Sequence, residues 1–238
     1  LVDINASAGG KWHTSYAGVP HYMTTKMRSL FLETSEYSSF DMTEDHQVQI
    51  ALFSNSIKGR IINGASPLEL IEEYTTYSGR MRELPDWIHE GAILGMQGGT
   101  EKVMASYQQM KDKKGAVAGL WLQDWVGQRK TSFGKQLWWN WELDNDRYTN
   151  WGEMLADLKE DGVHVLTYIN PFFTQVDDKP NAERNQFNEL LEKGFLVNTH
   201  NGDPYLIENT SFSAGLIDLS NPEARSWIKQ VIKDELIA

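Results

Sequence analysis

Three apolar runs in this 238-residue chain end in side chains able to hydrogen-bond. The first closes on Gln97, the second on Gln123-Asp124-Trp125 and the third on Tyr168-Ile169-Asn170-Pro171. Amides and carboxylates held at fixed positions suit a ligand rich in hydroxyls, because each hydroxyl both donates and accepts. Any one of these residues is explained equally well by capping a strand or ordering a loop. Three strand ends of the same kind favour a shared polar ligand. A second signal is aromatic. The chain holds nine Trp, and Trp121, Trp125, Trp138, Trp139, Trp141 and Trp151 fall in one short stretch. Burial in a core accounts for most aromatics; flat rings also stack on the C–H faces of sugars, the sharper reading of the same cluster. Asp144, Asp146, Asp177 and Asp178 lie in polar loops and read as solvated. The six His form no H-E-x-x-H or closely spaced pair, and with no Cys a thiolate site is excluded, so no metal or other cofactor is expected.

Strand ends need strands, and the chain supplies them in alternation with helices from Gly91 onward. Gly91 to Gln97 is a short apolar run, and Thr100 then caps a helix carrying Val103, Tyr107 and Met110 that ends at Gly115. Ala116 to Trp125 is the second run, followed by a long aromatic loop. Asn150 starts a helix with Trp151, Met154, Leu155 and Leu158 on one face, closed by Gly162. Val163 to Ile169 is the third strand, rich in β-branched residues. A helix near Glu183 to Lys193 ends at Gly194, and Ser220-Asn221-Pro222-Glu223 reads as a capping box before an apolar stripe of Ala224, Trp227, Ile228, Val231, Ile232 and Leu236.

Repeated strand–helix units with nearly continuous apolar strands imply a parallel sheet with helices outside it. A doubly wound sheet and a (β/α)8 barrel both meet that description. Gly95-Met96-Gln97-Gly98-Gly99-Thr100 lacks the spacing of a dinucleotide loop, which favours the barrel. Residues 86–238 fall well short of the roughly 250 of a whole barrel, so about three βα units of an α/β barrel are expected. Residues 1 to about 64 read instead as short strands and loops, including Gln47 to Phe53 and Gly59 to Ile62, with a helix from Pro67 to about Arg80 and a linker at Leu84-Pro85-Asp86-Trp87.

Composition narrows the function classes. A net charge of −11 argues against general affinity for nucleic acid or anionic membranes. No run approaches the roughly 20 apolar residues of a membrane span, and no leader is visible, so a cytoplasmic location is expected. The chain opens on Leu1-Val2-Asp3 without Met, so an upstream region is expected to be missing or cleaved.

Leu84-Pro85-Asp86-Trp87, Met96-Gln97-Gly98-Gly99-Thr100, Trp121-Leu122-Gln123-Asp124-Trp125, Thr131-Ser132-Phe133-Gly134-Lys135, Tyr168-Ile169-Asn170-Pro171 and Asp218-Leu219-Ser220-Asn221-Pro222-Glu223-Ala224 occur in this order. Together they resemble the α-glycosidases of glycoside hydrolase family 31, most closely its bacterial sulfoquinovosidases. The resemblance implies that residues 1–84 are the C-terminal part of an N-terminal β-sandwich domain with its linking helix. Residues 85–238 would be the first portion of a (β/α)8 catalytic barrel, truncated before the nucleophile strand. It implies a retaining, exo-acting enzyme that uses one carboxylate as nucleophile and another as acid and base. Both are aspartates on later strands, beyond the helix from Asn221 to Ala238, so this chain alone is expected to be inactive and to hold no catalytic residue.

The implied substrate-binding set is Gln97, Gln123, Asp124, Trp125, Arg129, Gln136, Trp139 and Asn170. Asp124 would bind hydroxyls of the sugar being cleaved rather than act as nucleophile. Sulfonate recognition in the family maps onto Gln97, Gln123, position 136 and Trp139, but Gln136 stands where the family has arginine. A charge-assisted bond is worth about 1.5–3 kcal/mol against roughly 1 for a neutral one, so the change should weaken sulfonate binding by about tenfold or more unless Arg129 or Lys135 points inward. The glycone is therefore an α-glucoside or an α-sulfoquinovoside, and the partners expected are that small carbohydrate, the remaining half of the barrel and a second copy in a homo-oligomer. A non-catalytic carbohydrate-binding protein is the alternative.

Overall fold

The computed structural model describes residues 18–132, 134–209 and 211–237. Expectations on residues 1–17, on Phe133 and on Ala238 lie outside these. The chain divides into two compact units, residues 1–83 and 84–238.

In the first unit β1 (His21–Met23), β2 (Arg28–Leu32) and β5 (Gly59–Asn63) form an antiparallel sheet, and β3 (Ser38–Asp41) pairs with β4 (Gln49–Leu52) in a hairpin. Helix α1 (Pro67–Ser78) begins where Ser66 accepts from the Glu69 N–H at 3.3 Å and Glu69 Oε2 accepts from the Ala65 N–H at 2.7 Å. Its Tyr74 ring stacks on His21 at 4.4 Å and meets Phe31 edge-on at 5.0 Å, while Leu70 and Leu32 are buried.

The second unit carries the strand–helix alternation. A 3-10 turn (Asp86–His89) leads to β6 (Ala92–Met96), α2 (Thr100–Asp112) and β7 (Val117–Leu122). After β8 (Gln128–Thr131) and β9 (Gly134–Leu137) come α3 (Trp151–Glu160) and β10 (His164–Thr167). Strands β10, β7 and β6 form a parallel sheet in that order, with Leu94 beside Leu120 and Leu166 beside Trp121. Central β7 buries one face, on which Ala118, Leu120 and Leu122 alternate, while Trp121 on the opposite face is 40% exposed. Among the described residues no further strand pairs with the outer edges of β6 or β10.

The remaining elements are β11 (Phe172–Phe173), α4 (Gln186–Glu192), β12 (Leu206–Asn209), β13 (Phe212–Leu216) and α5 (Pro222–Ile232), which continues into a π-helical turn (Lys233–Ile237). Strands β11, β13 and β12 make a second, antiparallel sheet. No described helix is long and apolar enough to cross a membrane.

Three local expectations need correction. Gly99, not Thr100, caps α2, and the Thr100 hydroxyl donates to the Thr149 carbonyl at 2.7 Å instead. Asn221, not Ser220, caps α5 by accepting from the Glu223 N–H, because the Ser220 hydroxyl is turned toward Asp218 at 2.6 Å. The long aromatic loop contains the β8–β9 hairpin, whose polar strands gave no alternating signal.

The aromatic stretch is largely core. Trp125, Trp141 and Tyr148 are fully buried and Trp138 nearly so, packed with Leu120, Leu122, Val103 and Leu158. Gln186 fastens this stretch to the start of α4, accepting from the Trp141 N–H at 2.8 Å and donating to its carbonyl at 2.9 Å.

Candidate functional site

The C-terminal ends of β6, β7 and β10 open on one side of the parallel sheet, where barrels of this kind place their ligands. Gln97 follows β6, Gln123 follows β7 and Tyr168 follows β10. The β8–β9 hairpin stands over them and contributes Gln128, Lys135, Gln136 and Leu137, with Trp139 just beyond it and Phe212 from β13. These residues line one open cleft of about 270 Å³. Its apolar wall is a ring assembly: Trp139 stacks on Phe172 at 5.4 Å and 29°, and meets Phe212 edge-on at 5.3 Å. Four amides, one ammonium and a phenol supply the polar side, and no carboxylate lines it.

Gln97, Gln123, Gln136 and Trp139, four of the eight residues named from the sequence, line this cleft together. The other four expected residues do not line it. Asp124 has no exposed surface, and its carboxylate is fully engaged. Its Oδ2 accepts from Gly98 N–H at 3.0 Å and from Arg147 Nε and Nη2 at 2.6 and 2.5 Å; its Oδ1 accepts from the Tyr148 hydroxyl at 2.5 Å. Burial and the adjacent carboxylate push the Tyr148 hydroxyl well above the ordinary tyrosine range, so it stays a donor. Four donors hold this buried carboxylate, and Asp124 does not line the cleft. Trp125 is also fully buried, its indole N–H donating to the Tyr168 carbonyl at 2.7 Å. Both residues form the floor beneath the cleft.

Arg129 is clamped rather than presented. Its guanidinium lies over Trp138 at 3.8 Å and Phe212 at 4.1 Å and donates to the buried Thr174 hydroxyl at 2.6 Å. Burial pulls its pKa down to about 10, opposed in part by Asp178. It sits directly across the hairpin from Gln136, but Lys135 is the cation that lines the cleft. Asn170 stands behind Tyr168, donating to its hydroxyl at 3.1 Å while accepting from the Phe172 N–H at 2.8 Å. Asp144, expected to be solvated, instead accepts from the Arg147 N–H at 3.0 Å and from Asn181 at 2.8 Å.

Gln128, Phe212 and Arg147 were not legible in the sequence as site residues. Gln128 and Phe212 lie on short strands whose polar or mixed runs carry no period, and Arg147 sits in a polar loop. That loop is held close by glycines. A Cβ on Gly99, at φ +85°, would stand 2.2 Å from the Arg147 carbonyl, and one on Gly127, at φ +81°, would stand 1.9 Å from Asp144 Oδ2.

Residues 84–238 match the glycosyl hydrolases family 31 TIM-barrel domain, and the chain belongs to that family. It is 34% identical to the sulfoquinovosidase of Escherichia coli K12, an alignment that covers 99% of this chain and 34% of that protein. The sulfoquinovosidase of Agrobacterium fabrum is 31% identical across 97% of this chain and 33% of its own length. A family 31 sulfoquinovosidase from E. rectale, solved in complex with the aza-sugar inhibitor IFGSQ, superposes with a TM-score of 0.86 at 33% identity, over 96% of this chain and 33% of that one. The chain therefore spans about a third of the length of the relatives it matches.

Proposed function

We propose that this chain is the substrate-binding front portion of a retaining, exo-acting α-glycosidase that takes an α-sulfoquinovoside or α-glucoside. Residues 1–84 are then the end of an N-terminal β-sandwich with its linking helix, and residues 85–238 the first three βα units of the catalytic barrel. The observation that carries the reading is the cleft itself: a stacked aromatic wall opposite four amides at the C-terminal ends of parallel strands. Gln97, Gln123, Gln136 and Trp139 contact the glycone; Asp124, Trp125, Arg129 and Asn170 hold the groups that do. No step of hydrolysis can be assigned to a carboxylate in the cleft, since none lines it. Asp124 is fully buried and engaged, so it cannot replace a nucleophile. The unpaired outer edge of β6, with Ile93 40% exposed beside an apolar groove against α2, supports a partner strand from the rest of the barrel.

The test is release of nitrophenol from nitrophenyl α-sulfoquinovoside and nitrophenyl α-glucoside, with the intact mass measured on the same sample. At 27.2 kDa no turnover is expected, and turnover at that mass would refute the assignment. The carboxylate-free cleft also favours a second reading, a carbohydrate-binding protein without catalysis. Turnover by a protein that joins this chain to a following barrel half decides for the enzyme; sugar binding without turnover by such a protein decides for the binding module.

A further inference from the structure

The cleft's glutamines are not free to turn. Arg147 Nη2 donates to Gln128 Oε1 at 3.0 Å, Gln128 Nε2 donates to Gln97 Oε1 at 2.9 Å, and Gln97 Nε2 donates to Gln123 Oε1 at 2.5 Å. A guanidinium has donors and no acceptor, so Gln128 must offer it oxygen. Each amide then fixes the next, and reversing any one of them would set donor against donor. The head of the relay is anchored outside the cleft, where Arg147 is paired with the fully buried Asp124. The tail is the amide nitrogen of Gln123, a residue that lines the cleft, and this nitrogen has no partner among the described residues.

A second, separate relay has the same polarity. The Phe172 backbone N–H donates to Asn170 Oδ1, which turns Asn170 Nδ2 toward the Tyr168 hydroxyl oxygen and leaves the Tyr168 proton to be donated onward. With Lys135 on the rim and no carboxylate in the lining of a chain of net charge −11, the cleft offers donors at the ends of both relays.

We infer that Arg147 is a positioning residue that sets this polarity, so that the cleft selects a glycone carrying an acceptor-only group, a sulfonate or carboxylate, over one carrying a hydroxyl there. The inference rests on the glycoside reading above and adds to it the residue that decides the ligand's chemistry. A hydroxyl uses a donor and an acceptor, whereas oxyanion oxygens use donors alone.

The test is calorimetric titration of the protein with methyl α-sulfoquinovoside, methyl α-glucuronide and methyl α-glucoside. The unaltered protein should bind at least one of the two anionic glycosides about tenfold or more tightly than the glucoside, and the better of the two identifies the group. Gln128→Met cuts the relay without disturbing the Arg147–Asp124 pair and should erase most of that preference. Gln128→Glu should invert it: the introduced carboxylate accepts from both Arg147 and Gln97, Gln97 turns its oxygen to Gln123, and Gln123 then presents an acceptor to the cleft. Glucoside affinity should rise, a gain that repulsion between the new carboxylate and an anion would not produce. Arg147→Lys, which keeps a donor at the head, should retain the preference. Equal binding of all three glycosides by the unaltered protein, or equal losses for all three in Gln128→Met, would overturn the inference while leaving a glycoside site standing. Binding of none of them would overturn the glycoside reading itself.

Discussion

Gln123 and Asp124 are neighbours in sequence, yet one lines the cleft and the other is sealed beneath it. The same contrast separates Trp139 from Trp125 and Lys135 from Lys179. Trp139 forms the cleft wall while Trp125 has no exposed surface; Lys135 lines the rim while Lys179 is buried with no hydrogen-bond partner for its ammonium among the described residues. Residue type is identical within the last two pairs and equally polar in the first. A strand end can place a polar residue either toward ligand or toward the core, and which occurs depends on whether a partner waits below. Arg147 and Tyr148 wait for Asp124; nothing of the kind waits for the Gln123 amide nitrogen.

If the floor is structural, its loss should be felt in stability first. Asp124→Ala strands the Arg147 guanidinium and the Tyr148 hydroxyl and should lower unfolding free energy by about 3–5 kcal/mol, measured by urea denaturation, with Trp125→Ala costing a similar amount of about 3–5 kcal/mol through the cavity it leaves. A loss below about 1 kcal/mol for Asp124→Ala would erase the distinction between floor and cleft.

Lys179 sharpens the same contrast with the opposite sign. Burial holds its ammonium below the ordinary lysine range, despite Asp144, Glu142 and Asp146 nearby. The unfolded chain therefore binds more protons between the folded value and about 10.4, and the burdened folded state recovers stability as pH rises through that window. Lys179→Met should gain about 1–3 kcal/mol at neutral pH, with the gain shrinking as pH approaches the unfolded value. Thermal denaturation across pH measures both, and a gain that does not change with pH would contradict the assignment.

Smaller effects belong to the cleft. Gln136→Arg replaces a neutral amide by a bidentate cation and should tighten sulfonate glycosides by about tenfold while leaving glucoside affinity within a few-fold. Gln123→Ala should shift stability by no more than about 0.5 kcal/mol yet weaken glycoside binding, the reverse of Asp124→Ala.

Much of this was legible in the sequence. The strand–helix alternation placed β6, β7 and β10 within a few residues, because each is a short apolar run bounded by glycine or polar residues. Gln97, Gln123, Gln136 and Trp139 were legible as a set, through strand ends and the family's motifs. What the sequence hid was orientation. Asp124 and Trp125 read like their neighbour Gln123, since their burial depends on Arg147, Tyr148 and the Tyr168 carbonyl, all distant in the chain. Arg147 itself lies in a loop of charged residues and has no local pattern to distinguish it. The Ser220 cap was misplaced by one residue because Asp218 competes for the same hydroxyl.

The most direct test follows the indole and side-chain amide NMR signals during titration with methyl α-sulfoquinovoside and methyl α-glucoside. The Trp139 indole and the Gln123 amide should move with ligand, and the Trp125 indole, bonded to the Tyr168 carbonyl, should hold its position. Movement of Trp125 with a stationary Trp139 would place the sugar elsewhere and contradict the division between cleft and floor.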